Sequence, residues 1–371
     1  MIYQELKRRL FTKFLLFSII GIFVITVGLS AILLGGEKSL PEVLKEEAIY
    51  SGEMTESKLW LGLSKVRDEK SEEIRYATLV SFIYGLISSY PGVLYTEGRV
   101  KDFPDAYGKD FYECWRKKSM ALIEKIPQKY HGKALTELNK VKTPFIKYPG
   151  SYYWSIALDN LQIIYVVILF MVTFFAASTY SDSIEDGSME IIYATKFGKK
   201  MMGVRLIPVI IYGLLLTLVA TFGTMLILGS ATGFQALKSS FKVITLFSIG
   251  NFTLRDGIIL MFISEILGVL ALTTIMGWIS YKAGKTTLAI AIGIGMNIFY
   301  IITAFFVKIP FRFFQLILNA LPMASSQVIY EIPGFRFDMW LWRPYAIMLD
   351  MVLMFIVFGM LLSHAVCRDE I

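Results

Sequence analysis

The chain has 371 residues, of which 55% are hydrophobic and 18% charged, with 37 Lys/Arg against 30 Asp/Glu and a net charge of +7. Soluble globular chains carry about 25% charged residues, and here the shortfall is uneven: 36 of the 121 residues in 35–155 are charged, against 31 of the other 250. The charge-rich stretch holds 19 Lys/Arg and 17 Asp/Glu, so it has no basic face of the kind nucleic acid needs. These figures exclude a soluble enzyme, a disordered tail protein and a nucleic-acid binder.

In chain order, residues 1–13 place Ile2, Leu6 and Leu10 at i, i+4, i+8 beside Lys7, Arg8 and Arg9, the pattern of a short interfacial amphipathic helix suited to anionic membrane lipid. Crossing about 30 Å of hydrocarbon takes about 20 apolar residues in a helix. Residues 14–34 meet that length without a charge and exceed a signal-peptide core, which reads as an uncleaved anchor. Residues 35–155 read as a mainly helical domain, with helices expected over 42–50, 57–89 (a start signal at Ser71-Glu72-Glu73-Ile74) and 110–126. Pro127, Pro144 and Pro149-Gly150 punctuate its end. Further spans follow at 156–180, 206–229, 257–281, 286–307 and 344–366. Residues 308–343 are apolar but broken by Pro310, Pro322 and Pro333 into pieces too short to span. The expected fold class is an all-α membrane protein: six transmembrane helices with a mainly helical extracytoplasmic domain inserted between spans 1 and 2.

Six spans put both termini on one side. With that side cytoplasmic, the inner segments carry 11 Lys/Arg in 50 positions and the short outer loops seven in 65. This twofold bias orients the N- and C-termini inward and 35–155 outward. Tyr152, Tyr153, Trp154, Trp340, Trp342 and Tyr345 form an aromatic belt at one face, and Trp278 and Tyr281 mark the other.

The inner loop 181–205 gathers acidic residues early (Asp182, Glu185, Asp186, Glu190) and basic residues late (Lys196, Lys199, Lys200), complementing the dipole of a helix expected over 188–195. Met189, Ile192 and Tyr193 fall on one face of it. Such a helix can grip a soluble partner, or it can be a solvated connector. The run Glu185-Asp186-Gly187-Ser188-Met189-Glu190, followed by Ile191-Ile192-Tyr193-Ala194-Thr195, basic residues and a span, resembles the permease subunits of ATP-binding-cassette exporters of the type-2 permease family. The family has proline where this chain has Lys196. The amphipathic start, the large outer loop, the six spans and Leu321-Pro322-Met323 between spans five and six join the resemblance. It implies a transport subunit, not an enzyme, moving a peptide, lipid or hydrophobic compound outward. ATP and Mg would sit on a separate ATPase subunit, docked on a coupling helix formed by Glu185, Asp186, Gly187, Met189, Glu190, Ile192, Tyr193 and Lys196. It also implies a second copy or paralogue of the permease and a re-entrant outer hairpin.

Among in-membrane ionisable residues, Glu265 fits a substrate or gating contact, or a hydrogen-bonded carboxyl between helices; Asp350 lies toward an interface. Met348, Met351 and Met354 fit an adaptable substrate-facing stripe or ordinary packing, so Glu265, Met351 and Met354 stand as candidate substrate-path residues. Lys282-Ala283-Gly284-Lys285-Thr286-Thr287 imitates the end of a phosphate-binding loop, but Ile279 stands where the pattern needs glycine. His131 and His364 are the two histidines, and Cys114 and Cys367 the two cysteines, which gives no hydrolase pattern, no metal-ligand cluster and no disulfide framework. Asn251-Phe252-Thr253 matches a glycosylation triplet. Two readings of another class remain: a membrane-anchored sensor or structural protein with a ligand-binding outer domain, and an ion-coupled secondary transporter using Glu265.

Overall fold

The computed structural model describes residues 2–10, 12–35, 39–67, 82, 105–195, 198–248, 250–305, 312–338 and 340–368. Six helices in it are long and apolar enough to cross a membrane: Lys13–Leu34, Ser151–Glu185, Lys200–Thr232, Leu254–Ala283, Thr286–Ala304 and Arg343–Val366, here the first to sixth spans. The chain is a membrane-embedded all-α protein. Several spans outrun the apolar stretches that announce them. The second has 35 residues, about 50 Å of helix, because polar turns at both ends continue the same ladder.

The second and fourth spans form the centre. They pack on each other, with the third and fifth against both and the sixth against the fourth. The first is peripheral, held by the third and second. It buries one stripe, Ser18, Ile22, Thr26 and Ser30, and leaves Phe14, Phe17, Phe23 and Val24 exposed. This inverts the soluble pattern, because lipid covers the apolar sides and small residues let helices approach. Ser18 Oγ and Thr26 Oγ1 bond back to the carbonyls of Phe14 and Ile22, both at 2.8 Å, and Tyr212 Oη of the third span donates to Ser18 Oγ at 2.9 Å.

The described residues 2–10, 186–195, 284–285 and 364–368 lie at one end of the bundle, the termini end. At the other, the insertion end, lie the described residues between the first two spans. Helices Leu40–Ile49, Glu56–Arg67, Ala106–Lys109, Phe111–Glu124 and His131–Asn139 occur there. An antiparallel pair, Gly52–Glu53 with Ile146–Lys147, closes the segment. The expected helix over 110–126 is thus found within two residues at each end. Of the one expected over 57–89, Glu56–Arg67 is helical, and the start signal at Ser71 lies outside the described residues. Edge-to-face rings of Phe111, Tyr112, Trp115 and Phe145 build its core. Tyr112 Oη donates to Met54 O at 2.5 Å and accepts from Phe145 N at 2.9 Å. Cys114 is a free thiol in this segment, whereas residue 367 lies at the opposite end of the bundle.

The segment rests on the loop between the third and fourth spans. Trp115 Nε1 donates to Leu246 O at 2.9 Å, Ser240 N to Ile146 O at 2.7 Å and Tyr148 N to Ser239 Oγ at 2.9 Å. Thr253, of the glycosylation triplet, forms the capping box of the fourth span with Asp256. The imitation phosphate loop is a tight turn in which Gly284 (φ +63°) caps the fourth span and Thr286 opens the fifth.

Lys242 sits in the junction, 2% exposed. Its Nζ donates to Ser248 O and, at 2.8 Å, to Ser248 Oγ, 6.0 Å from the Trp115 ring centre. Burial alone pulls its ammonium down to about 7. The proton is therefore bound more weakly in the folded than in the unfolded chain. The resulting cost is full below about pH 7 and fades as pH rises toward the ordinary lysine value. Thermal melts in detergent should show stability rising between pH 7 and pH 9 by on the order of 2 kcal/mol from this group. Lys242→Met should flatten most of that rise, leaving the smaller slope from Lys147, which burial lowers to about 8 against the pull of Glu47. Identical slopes in both proteins would refute the assignment.

Candidate functional site

At the termini end the second span runs through Glu185, and its last turn is engaged with the chain itself. Thr286 Oγ1 donates to Asp182 Oδ1 at 2.7 Å, Thr286 N to Glu185 Oε2 at 3.3 Å, and the hydroxyls of Ser181 and Thr286 lie 2.7 Å apart. Carboxylates at the N-terminus of the fifth span complement its dipole and free N–H groups. Glu185, expected on the partner-facing coupling helix, is therefore not on that helix and caps the fifth span instead.

Asp186 Oδ1 accepts from Ser188 N at 2.8 Å, and this bonding to Ser188 holds the Asp186 carboxyl below its usual range. Gly187 turns the chain with φ +74°, a left-handed conformation that a side chain would strain. The short helix then covers Ser188–Tyr193, two residues less than expected; Thr195 Oγ1 bonds back to Ile192 O at 2.7 Å where it ends. Lys196 and Phe197 lie outside the described residues.

The helix has two unlike faces. Met189 is buried in a cluster with Tyr180, Met202, Tyr281, Leu362 and Val366, and Ile192 and Tyr193 pack beside it. Tyr193 Oη lies 3.3 Å from Tyr281 Oη and 3.5 Å from Val366 O. The expected shared face of Met189, Ile192 and Tyr193 thus exists, and it points into the bundle. Glu190 and Ile191 face outward, Ile191 at 71% exposure. Glu190 and Ile191 are the side chains of this helix left open to contact by another protein.

Deeper in the bundle, Glu265 is fully buried in the fourth span. Leu254 opens that helix, which puts Glu265 about 16 Å along it. Residues 312–331 descend to that level as Arg312–Asn319, the wholly buried turn Pro322–Gln327 and Val328–Glu331. Ser325 Oγ donates to Pro322 O at 2.8 Å and lies 3.3 Å from Glu265 Oε2. Ser264 Oγ donates to Ser325 O at 3.0 Å, and Glu265 Oε1 has no hydrogen-bond partner among the described residues. A carboxyl so deep and half-satisfied is costly in hydrocarbon, the usual mark of a working group.

At the mouth of the hairpin, Arg343 Nε lies 2.9 Å from Glu331 Oε2 and 3.7 Å from Asp338 Oδ2, and Arg336 Nη1 lies 3.1 Å from Glu331 Oε2. Met351 is completely buried, and Met348 and Met354 are partly buried against the core. Asp350 is half-buried in the sixth span. Among the described residues there is no cluster of three or more His, Cys, Asp or Glu fit for a metal.

Sequence reasoning missed Thr286, Ser325 and Arg205. Ser325 carries no local signal, since only the chain's return to Glu265 gives it a role. Arg205 stands at the edge of an apolar run and reads there as a loop charge.

No family model and no curated protein matches the chain.

Gly268 lets the hairpin seat. A Cβ there would fall 1.9 Å from Ser325 Oγ and 3.3 Å from Pro322 O. Gly268→Val should unseat the turn: a cysteine placed at Ser326, protected from maleimide in the parent, should become labelled, with melting lowered by an overpacking cost of about 1–3 kcal/mol. Unchanged protection would contradict the described seating.

Proposed function

We propose that the chain is the permease subunit of an ATP-binding-cassette exporter, driven by a separate ATPase chain that carries ATP and Mg and working beside a second copy or a paralogue. The cargo class is a peptide, lipid or hydrophobic compound moved out of the cytoplasm or inner leaflet. The termini end is cytoplasmic in this reading, and residues 35–155 are extracytoplasmic, consistent with the twofold Lys/Arg bias.

The observation that carries it is the two-faced helix Ser188–Tyr193. Its inward face is bound to the ends of the second, fourth and sixth spans through Met189 and Tyr193, while Glu190 and Ile191 stand free. A partner that pushes this helix pushes three spans. The fourth of these carries Glu265 under the hairpin, so motion at the cytoplasmic end reaches the far half of the bundle along one continuous helix. An ATPase that closes and reopens supplies such a push, and the hairpin is the element placed to respond.

The contact is tested at Glu190 and Ile191, since Glu185 serves the fifth span. Glu190→Lys combined with Ile191→Asp should abolish co-purification of a nucleotide-binding ATPase from native membranes, a loss of at least about tenfold or ~1.4 kcal/mol in binding. Membrane level and melting temperature should stay at wild-type values, because both residues are exposed. An undiminished complex would sink the docking role.

The unpartnered Glu265 Oε1 favours the ion-coupled carrier as a second reading. Transport that survives loss of the ATPase and collapses with the proton gradient would select it.

A further inference from the structure

The N-terminal helix Ile2–Arg9 sits against the termini ends of the second and third spans and sets two guanidinium groups on one carboxylate, with a third, Arg205, close behind them. Glu5 is 2% exposed; its Oε1 lies 2.7 Å from Arg8 Nη2 and 3.2 Å from Arg9 Nε. Arg9 Nη2 donates to the carbonyls of Ser178 at 3.1 Å and Thr179 at 3.0 Å. Arg205 is completely buried, reaches the same Thr179 carbonyl from Nη1 at 3.4 Å, and leaves Nε without a hydrogen-bond partner. Arg9 of the N-terminal helix and Arg205 of the turn just before Ile207 thus meet at one backbone oxygen. Asp182, which accepts from Thr286, and Asp186, which accepts from Ser188, act on Arg9 and Arg205 only through space, with no ion pair to either.

Burying like charges together is expensive unless an anion compensates them, and at both Arg9 and Arg205 the loss of solvation outweighs the pull of Glu5 and of the more distant Asp182 and Asp186. Burial, then the neighbouring Arg8 charge, lowers the Arg9 guanidinium from its ordinary value. The cluster opens to solvent on one side, where the Arg8 side chain is 54% exposed and Lys7 and Lys13 are exposed. Next to that rim the first span begins, with Phe14 and Phe17 exposed. A tetrahedral phosphate matches the fork of a guanidinium, and here acyl chains could lie directly against the first span.

We propose that Arg8 and Arg9, backed by the buried charge of Arg205, bind the phosphate of an anionic phospholipid and thereby fasten the N-terminal helix to the bundle. The site depends on the membrane-embedded fold and not on the permease reading. Arg8 and Arg9 touch the phosphate, and Arg205 raises the local positive potential from behind them.

The test uses the delipidated full chain in neutral detergent, titrated with phosphatidylglycerol, phosphatidylcholine or inorganic phosphate and read by native mass spectrometry. Phosphatidylglycerol should bind about tenfold more tightly than phosphatidylcholine, and Arg8→Gln with Arg9→Gln should remove that preference. Arg8→Gln alone, at an exposed position, should keep the lipid-free melting temperature and still weaken phosphatidylglycerol several-fold. Equal binding of the two lipids, or an unaffected preference in the variants, overturns the proposal. Displacement of phosphatidylglycerol by millimolar inorganic phosphate overturns the lipid as the source of the anion.

Discussion

Lipid competes with every apolar side chain for every other, so oily surface gives a span little reason to choose one neighbour over another. The pairing here rests on contacts that lipid cannot imitate. Ser280 Oγ of the fourth span lies 3.0 Å from the backbone nitrogens of Tyr180 and Ser181 and donates to Ala177 O at 2.6 Å. Tyr165 and Thr221 join the second span to the third at 2.7 Å, and Asn297 Nδ2 joins the fifth to Thr173 at 2.9 Å. Three neighbours are thus fastened to the second span by hydroxyls and an amide. The rest of the structure hangs on that central span and on its partner, the fourth.

The fourth span matters because each of its halves is bound to a different kind of element. Toward the insertion end, Ser264, Glu265 and Gly268 receive the hairpin turn. Toward the termini end, Tyr281 meets Tyr193 of the short helix. Residues 268 and 281 are 13 apart on one helix, about 20 Å of axial rise. A continuous helix over that distance moves as a unit, so the two ends of the bundle are coupled by its stiffness. The sixth span, packed on the fourth, reinforces this: Tyr281 Oη and Tyr193 Oη both lie 3.5 Å from carbonyls of its last turns.

The membrane class and the six spans were legible because length and apolarity alone decide whether a helix can cross hydrocarbon. Their ends were not, since the polar turns at Ser151 and Glu185 continue the hydrogen-bond ladder beyond the apolar run. Met189, Ile192 and Tyr193 were correctly placed on one face by helical spacing, but spacing does not say whether a face meets a partner or the chain's own spans. Glu185 shows the same limit for charge. A carboxylate at the end of a helix has the same local sequence whether it faces solvent or caps a helix that begins 101 residues later. Ser18, Thr26 and Ser30 were invisible as a packing stripe because hydropathy counts them as interruptions, whereas in lipid they are the buried side.

The incompletely compensated ionisable groups have a distribution of their own. Midway along the central span, the contacts that fasten it to its neighbours use neutral hydroxyls and an amide, whereas at its termini end the carboxylates of Asp182 and Glu185 hold the fifth span. Lys242 lies where the inserted segment meets the loop after the third span, Glu265 where the hairpin meets the fourth, and Arg205 where the N-terminal helix meets the second and third. A neutral hydrogen-bonded pair responds little to pH or salt, whereas a buried ionisable group responds to protons and to counter-ions. The mid-span contacts are therefore little affected by pH or salt, and Lys242, Glu265 and Arg205 lie where separate pieces of chain attach to the bundle.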